Sequence, residues 1–304
     1  MIIDLIDLKI IRELESGKRM FPDLAIKKLS ILKEEFFSRL ARLESTGLIK
    51  DYKASVFIPP LLGGDWFLGG GVSISSNPEK ATEQITRGLP FVVEVWHNFA
   101  FPLGVGPNLS FSFYSKDFPS STQFLKEIKE LDYLEVYKLR EYSFPIPFPL
   151  SADEKKLLRE INVAPTISLA ALANVINQDI SWIQEKLNRI ITNPNGIDGV
   201  SNTDVSFMQI LPELNWRVCE NFCHTHFIIE LYGSKLQVPN SDFQIVFEGR
   251  AFREKFYQLE SDLWSLNQLV SKLNIIQQSN VKIKGITFAE SNLVINHWVS
   301  NLLV

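Results

Sequence analysis

The chain repeats itself at a distance of 147 residues, and this constrains its fold more than any other feature. Sliding by 147 lays Lys9-Ile10-Ile11-Arg12-Glu13-Leu14 over Lys156-Leu157-Leu158-Arg159-Glu160-Ile161. The same shift lays Arg39-Leu40 over Lys186-Leu187 and Arg42-Leu43 over Arg189-Ile190. Trp66 and Trp216 follow Pro60 and Pro212 at similar distances. Between the copies runs FPIPFPL, residues 144–150, whose three prolines make a stiff connection. At 304 residues, length alone gives about two domains of roughly 150 residues each. The repeat reads as an internal duplication, one design used twice.

The first copy opens with three short helices. Ile10, Ile11 and Leu14 recur at helical spacing after Asp7, read as an N-cap. Leu24, Ala25 and Leu29 follow Pro22-Asp23 as a second helix. Ser30 is read as the cap of a third, over residues 32–43, with Phe36, Phe37, Leu40 and Leu43 on one face. Gly47 stops it, and a β-prone stretch, Leu48 to Ile58, ends at Pro59-Pro60. Three helices with a tight junction and a strand describe a winged helix-turn-helix.

Residues 67–143 change period. GGGVSIS reads as a strand and PEKATEQITRG as a helix. VVEVWHNFAF and NLSFSFYS read as strands, FPSSTQFLKEIKEL as a helix and LEVYKLREYSF as a last strand. The order is β-α-β-β-α-β, a ferredoxin-like unit. In the second half, Thr225–Leu231, Phe243–Phe247 and Val281–Ala289 read as strands, and Arg250–Leu273 as one long helix. The fold class expected is therefore α+β: a winged helix-turn-helix plus a ferredoxin-like domain, twice in tandem, with the second copy divergent. The expected bounds are 1–60 for the first helix-turn-helix and 61–143 for the first sheet domain. A linker at 144–150, a degenerate helix-turn-helix at 151–205 and a second sheet domain at 206–304 complete the division.

Composition narrows the function class. No apolar run nears the roughly 20 residues of a membrane helix, so no membrane partner is expected. The opening MIIDLIDLKIIREL has no basic segment and does not read as a signal peptide. The two cysteines, Cys219 and Cys223, cannot build a disulfide framework, so a cytoplasmic location is expected. A formal charge of −4 rules out nucleic-acid coating by bulk charge, which leaves a local patch. Residues 27–53 hold seven basic side chains against four acids, whereas residues 151–200 hold five against six. DNA contact is therefore expected in the first copy, through Lys27, Lys28, Ser30, Lys33, Ser38, Arg39, Lys50 and Lys53. Arg42 could equally pair with acids of its own bundle.

The first half resembles the Lrp/AsnC (feast/famine) transcription regulators. IDLIDLKIIRELESG is similar to their opening helix. The stretch from Leu24 to Gly63 is similar to their helix-turn-helix and exit strand, most densely at Ser30, Arg39, Leu43-Glu44, Gly47, Ile49 and Tyr52. The resemblance covers residues 3–143 well and the remainder weakly. It implies double-stranded DNA as partner and a small-molecule effector, with no cofactor. Members are about half this length and dimerise. A duplicated chain would then be a monomeric pseudo-dimer or a homodimer of it.

A second branch of that superfamily, the siroheme decarboxylases, implies an alternative, an enzyme or tetrapyrrole-binding protein. His97-Asn98-Phe99 and Asn108-Leu109 are similar to its sheet motif, although the basic residues that follow there are replaced by FAFPLGVGP. His97, Asn98 and Asn108 are the ligand-binding candidates, and His97 the catalytic candidate of that reading. Cys219-x3-Cys223-His224-x-His226 has a metal-like look. On a strand, however, His224 and His226 share one face and Cys223 takes the other, so one tetrahedral ion does not collect all four. No metal site is expected there. Gly69–Gly71 and Gly104-Val105-Gly106 open no helix and lack a following Lys-Ser/Thr, so neither is a phosphate loop.

Overall fold

A computed structural model describes residues 1–16, 22–99, 107–191, 208–231, 244–251, 254–278 and 281–303. They fold as two compact units. One unit gathers residues 4–65, 143–214 and 294–304, which bring together the helical segments of both halves. The other gathers residues 1–3, 66–142 and 215–293, which hold the sheet segments of both halves.

The helical unit begins with α1 (Leu5–Glu15), α2 (Pro22–Leu29) and α3 (Lys33–Ser45). Ile10, Ile11, Leu14, Ala25, Phe36, Leu40 and Leu43 are buried between them. The N-cap of α1 is Asp4 rather than Asp7. Asp4 Oδ1 accepts from the Ile6 and Asp7 amides, and Asp7 Oδ2 accepts from the Asp4 amide at 3.0 Å, a reciprocal capping box. Ser30 is likewise not the cap of α3. It turns the chain between α2 and α3 at φ +54°, and Leu32 takes the cap position without a side-chain bond. Gly47, at φ +77°, follows α3 in the left-handed region, as read from the sequence.

Strand β1 (Ile49–Val56) leads through the short α4 (Ile58–Leu62) to the sheet unit. The second half supplies α7 (Ala152–Val163), α8 (Leu169–Ile176) and α9 (Ile180–Ile191). Each of these starts 147 residues after its counterpart. Ser151 and Glu154 form a second capping box on α7. The exit strand β6 (Met208–Leu214) pairs antiparallel with β1 from Ile49–Leu214 to Val56–Met208. Helix α1 packs on β6, and α7 packs on β1, so each half covers the other's strand. The proline segment is tied down: the Phe148 amide donates to the Pro60 carbonyl at 2.7 Å.

The sheet unit contains β2 (Gly64–Ser75), α5 (Pro78–Gly88), β3 (Val92–Phe99), β4 (Leu109–Ser115), α6 (Phe118–Lys126) and β5 (Leu131–Phe144). Its second part is β7 (Cys223–Leu231), β8 (Gln244–Ala251), β9 (Glu254–Leu263), α10 (Leu266–Gln277) and β10 (Val281–Val294). The eight strands close into a barrel in the order β10-β3-β4-β2-β5-β8-β9-β7. Each half contributes four strands in one order, its fourth beside its first, its first beside its third, and its third beside its second. This is the ferredoxin-like order, twice, with the second strand of each half pairing with the fourth of the other. The fold is thus the expected α+β class, helix-turn-helix and ferredoxin-like sheet in tandem. Residues 232–243, where the second copy's first crossover would run, lie outside the described residues.

One element differs in kind. The expected long helix over Arg250–Leu273 is a strand, β9, followed by α10 with Ser265 as its cap. Leu259, Ser261 and Leu263 are buried while Glu260 and Asp262 are only partly so, a period of two that no helix gives. Gly69 and Gly71 stand opposite Phe113 and Phe111 on β4, and a Cβ at either would run into those rings. The glycine run therefore makes room for aromatic side chains of the neighbouring strand.

Candidate functional site

The first helix-turn-helix presents its basic residues unevenly. Lys27, Lys28, Ser30, Lys33, Ser38 and Lys50 are exposed. Lys28 Nζ lies 2.6 Å from the buried Glu13, Lys33 Nζ lies 3.5 Å from Asp23, and Lys53 Nζ lies 2.6 Å from Asp51. The Asp51 partner holds Lys53 charged above its ordinary range. Among the described residues, Lys27 and Lys50 make no ion pair.

Arg39 is engaged differently. Its guanidinium reaches Asp4 Oδ2 at 2.8 Å, Asp7 Oδ1 at 3.0 Å and Glu35 Oε1 at 2.9 Å. These carboxylates, Asp4 foremost, push its pKa further up. Arg42 also bonds to the wholly buried Asp7. The two arginines thus lock α3 onto α1, Arg42 with much of its side chain still exposed, and among the described residues Lys27 and Lys50 stand outside ion pairs. In the second helix-turn-helix, Lys186 lies over the Trp182 ring and bonds to Glu185.

The sheet candidates separate. His97 and Asn98 are neighbours on β3, so they face opposite sides of it. His97 Nε2 meets Thr82 Oγ1 of α5 at 3.0 Å. Asn98 is buried, and its amide donates to Ser110 Oγ at 3.3 Å. Asn108 clamps the Ser75 backbone, accepting from its amide at 2.8 Å and donating to its carbonyl at 2.7 Å. These three do not converge on one point. Residues 100–106, which include Gly104 and Gly106, lie outside the described residues.

Another cluster does converge, on the face of β3 that carries Glu94, Trp96 and Asn98. Trp96 lies 5.3 Å from the His226 ring and 6.0 Å from the His224 ring, centroid to centroid. Asn292 Nδ2 donates to Glu94 Oε1 at 2.7 Å. Burial pushes the Glu94 carboxyl above its ordinary range, although hydrogen bonds from Asn292 and Trp96 pull it partly back. His224, His226, Glu260 and Asp262 complete the group. Among the described residues, His97 is held by Thr82, and the cluster carries the carboxyls of Glu94, Glu260 and Asp262 beside the two histidines.

No protein-family model and no curated protein matches the chain. Solved structures do. A siroheme decarboxylase, NirDL, is 11% identical with a TM-score of 0.45, over 98% of this chain and 97% of that one. The transcriptional regulator NMB0573 from Neisseria meningitidis, in complex with L-Met, is 17% identical with a TM-score of 0.30. It matches over 49% of this chain and 97% of its own. LrpC of B. subtilis is 19% identical with a TM-score of 0.30, over 49% of this chain and all of its own. The similar structures thus include an enzyme that spans the whole chain and regulators that span half of it. Neither function follows from them. Among the described residues, no helix is long and apolar enough to cross a membrane.

Proposed function

We propose that this chain is a DNA-binding transcription regulator, a duplicated pseudo-dimer that reads double-stranded DNA mainly through its first helix-turn-helix. The observation that carries this reading is the exposed set Lys27, Ser30, Lys33, Ser38 and Lys50 around a helix pair closed by a left-handed turn. Arg39 supports that surface from behind by fixing α3 against α1. Lys27, Lys28, Lys50 and Lys53 serve phosphates, and Lys33 and Ser38 lie on the helix that would enter a groove. The sheet unit is the place for a small effector.

A gel-shift series tests it. Lys27→Ala, Lys33→Ala and Lys50→Ala should each weaken binding and lower the salt slope by about 1. Lys186→Ala should change neither. Genome-wide mapping of bound DNA with no enrichment over background would remove the reading.

A further inference from the structure

Two histidines and two carboxylates meet on the inner face of the barrel. On β7, Phe227 and Ile229 pack with Ile276, Leu269 and Leu273 of α10. Side chains alternate along a strand, so His224 and His226 point to the other face. The register sets His226 opposite Glu260 and His224 opposite Asp262 on β9. The His224 and His226 Nε2 atoms are 3.2 Å apart. His226 Nε2 lies 3.4 Å from Glu260 Oε1, and His224 Nε2 lies 3.9 Å from Glu260 Oε2. One ligand atom from each of the three residues falls within 4.8 Å of the others.

This spacing is that of a coordination sphere. Donors about 2.0–2.1 Å from a tetrahedral ion stand about 3.3 Å from one another. Asp262 Oδ1 lies 3.0 Å from His224 Nδ1. A carboxylate there accepts a hydrogen bond from Nδ1–H and so fixes the tautomer in which Nε2 is the unprotonated donor atom. The Trp216 ring stacks on His224 at 5.3 Å, and Trp96 lies against His226, so indole rings flank both imidazoles. His226 is 2% exposed. Cys223 is exposed and lies on the opposite face, so it takes no part.

We propose that the barrel binds one divalent transition-metal ion of the zinc class through His224 Nε2, His226 Nε2 and the Glu260 carboxylate. Asp262 orients His224 from outside the sphere. Two imidazoles with one carboxylate suit zinc, cobalt or nickel and not calcium or magnesium. Three protein donors leave the fourth corner to water or to a small ligand. This assignment is independent of the DNA reading.

The test is a titration of untagged, chelator-stripped full-length protein with Co2+. One equivalent should produce the intense visible bands of four-coordinate cobalt, and Zn2+ should abolish them. His226→Gln and Glu260→Gln should each weaken binding by about 100-fold or more, and Asp262→Asn by about 10–100-fold. The double variant Cys219→Ser/Cys223→Ser should bind as the parent does. If a histidine variant fails to fold, X-ray absorption on the zinc-loaded parent decides instead, and two imidazole ligands are expected. No visible bands, bands that survive His226→Gln or Glu260→Gln in folded protein, bands lost in the cysteine variant, or fewer than two imidazoles would overturn the proposal. The metal-free alternative, in which His226 Nε2–H simply donates to His224, predicts the first of these results.

Discussion

Asp7 shows how one buried charge organises the first head. It is wholly buried, yet it accepts from Arg39 and Arg42 and closes the capping box of α1. The sequence marked the right neighbourhood, because an acid before an apolar helix is a cap signal. It did not distinguish Asp4 from Asp7, since both precede the same apolar stripe and only geometry shows which oxygen meets the free amides. Nor did it show that Arg39 is spoken for, because two of its three partners, Asp4 and Asp7, lie more than thirty positions away. Removing Asp7 leaves two guanidinium groups without their buried partner. Asp7→Ala should cost on the order of 3 kcal/mol, read as a lower urea midpoint. Acid should act in the same direction through Asp4. Burial alone would raise its carboxyl, but the Asp7 amide and Arg39 hold it below the ordinary value of 3.8. A carboxyl depressed in the folded state contributes fully above its unfolded pKa and loses that contribution as pH falls through the lower folded one. The midpoint should therefore fall below about pH 4, and Asp4→Asn should flatten that part of the decline, with circular dichroism as the readout.

At the scale of elements, the helices of the two heads were legible, and the strands β6 and β9 were not. The stripes of α1 to α3 have helical spacing, and the repeat carried them to α7, α8 and α9. Strand β9 was hidden because its charged residues, Glu254, Lys255, Glu260 and Asp262, resemble the exposed side of a helix. In the barrel, Glu260 and Asp262 instead point inward at His226 and His224. Reading β9 as a helix therefore also concealed the carboxylates that the H-x-H pair needed. The matching signal was present, an E-x-D at the same period of two as H-x-H. The glycine run in β2 is plain in the sequence, but its partner is not, because cross-strand register is invisible until strands are paired. Phe111 fills the space that a Cβ on Gly71 would take. Gly71→Ala should therefore destabilise by about 1–3 kcal/mol through overpacking. The double variant Gly71→Ala/Phe111→Leu should recover part of that loss, a coupling that thermal melts can measure.

At the scale of the whole molecule, the 147-residue repeat predicts how edges are closed. Within the first half, β3 and β5 are the outer strands of a four-stranded sheet. Alone, such edges present rows of unpaired amides and carbonyls. In the full chain β3 pairs with β10 and β5 with β8, which hold the equivalent places of β5 and β3 in the second half. Strand β1 is completed in the same way by β6. One chain thus closes by itself the edges that a half-length chain would close with a second copy. Light scattering of the intact protein should return a single chain of 34.8 kDa. A fragment of residues 1–150 should return twice its own mass, since β3 of one copy can pair with β5 of another and β1 with β1. A fragment that stays monomeric and folded, or an intact chain that dimerises at low concentration, would show that the two halves do not stand in for two protomers.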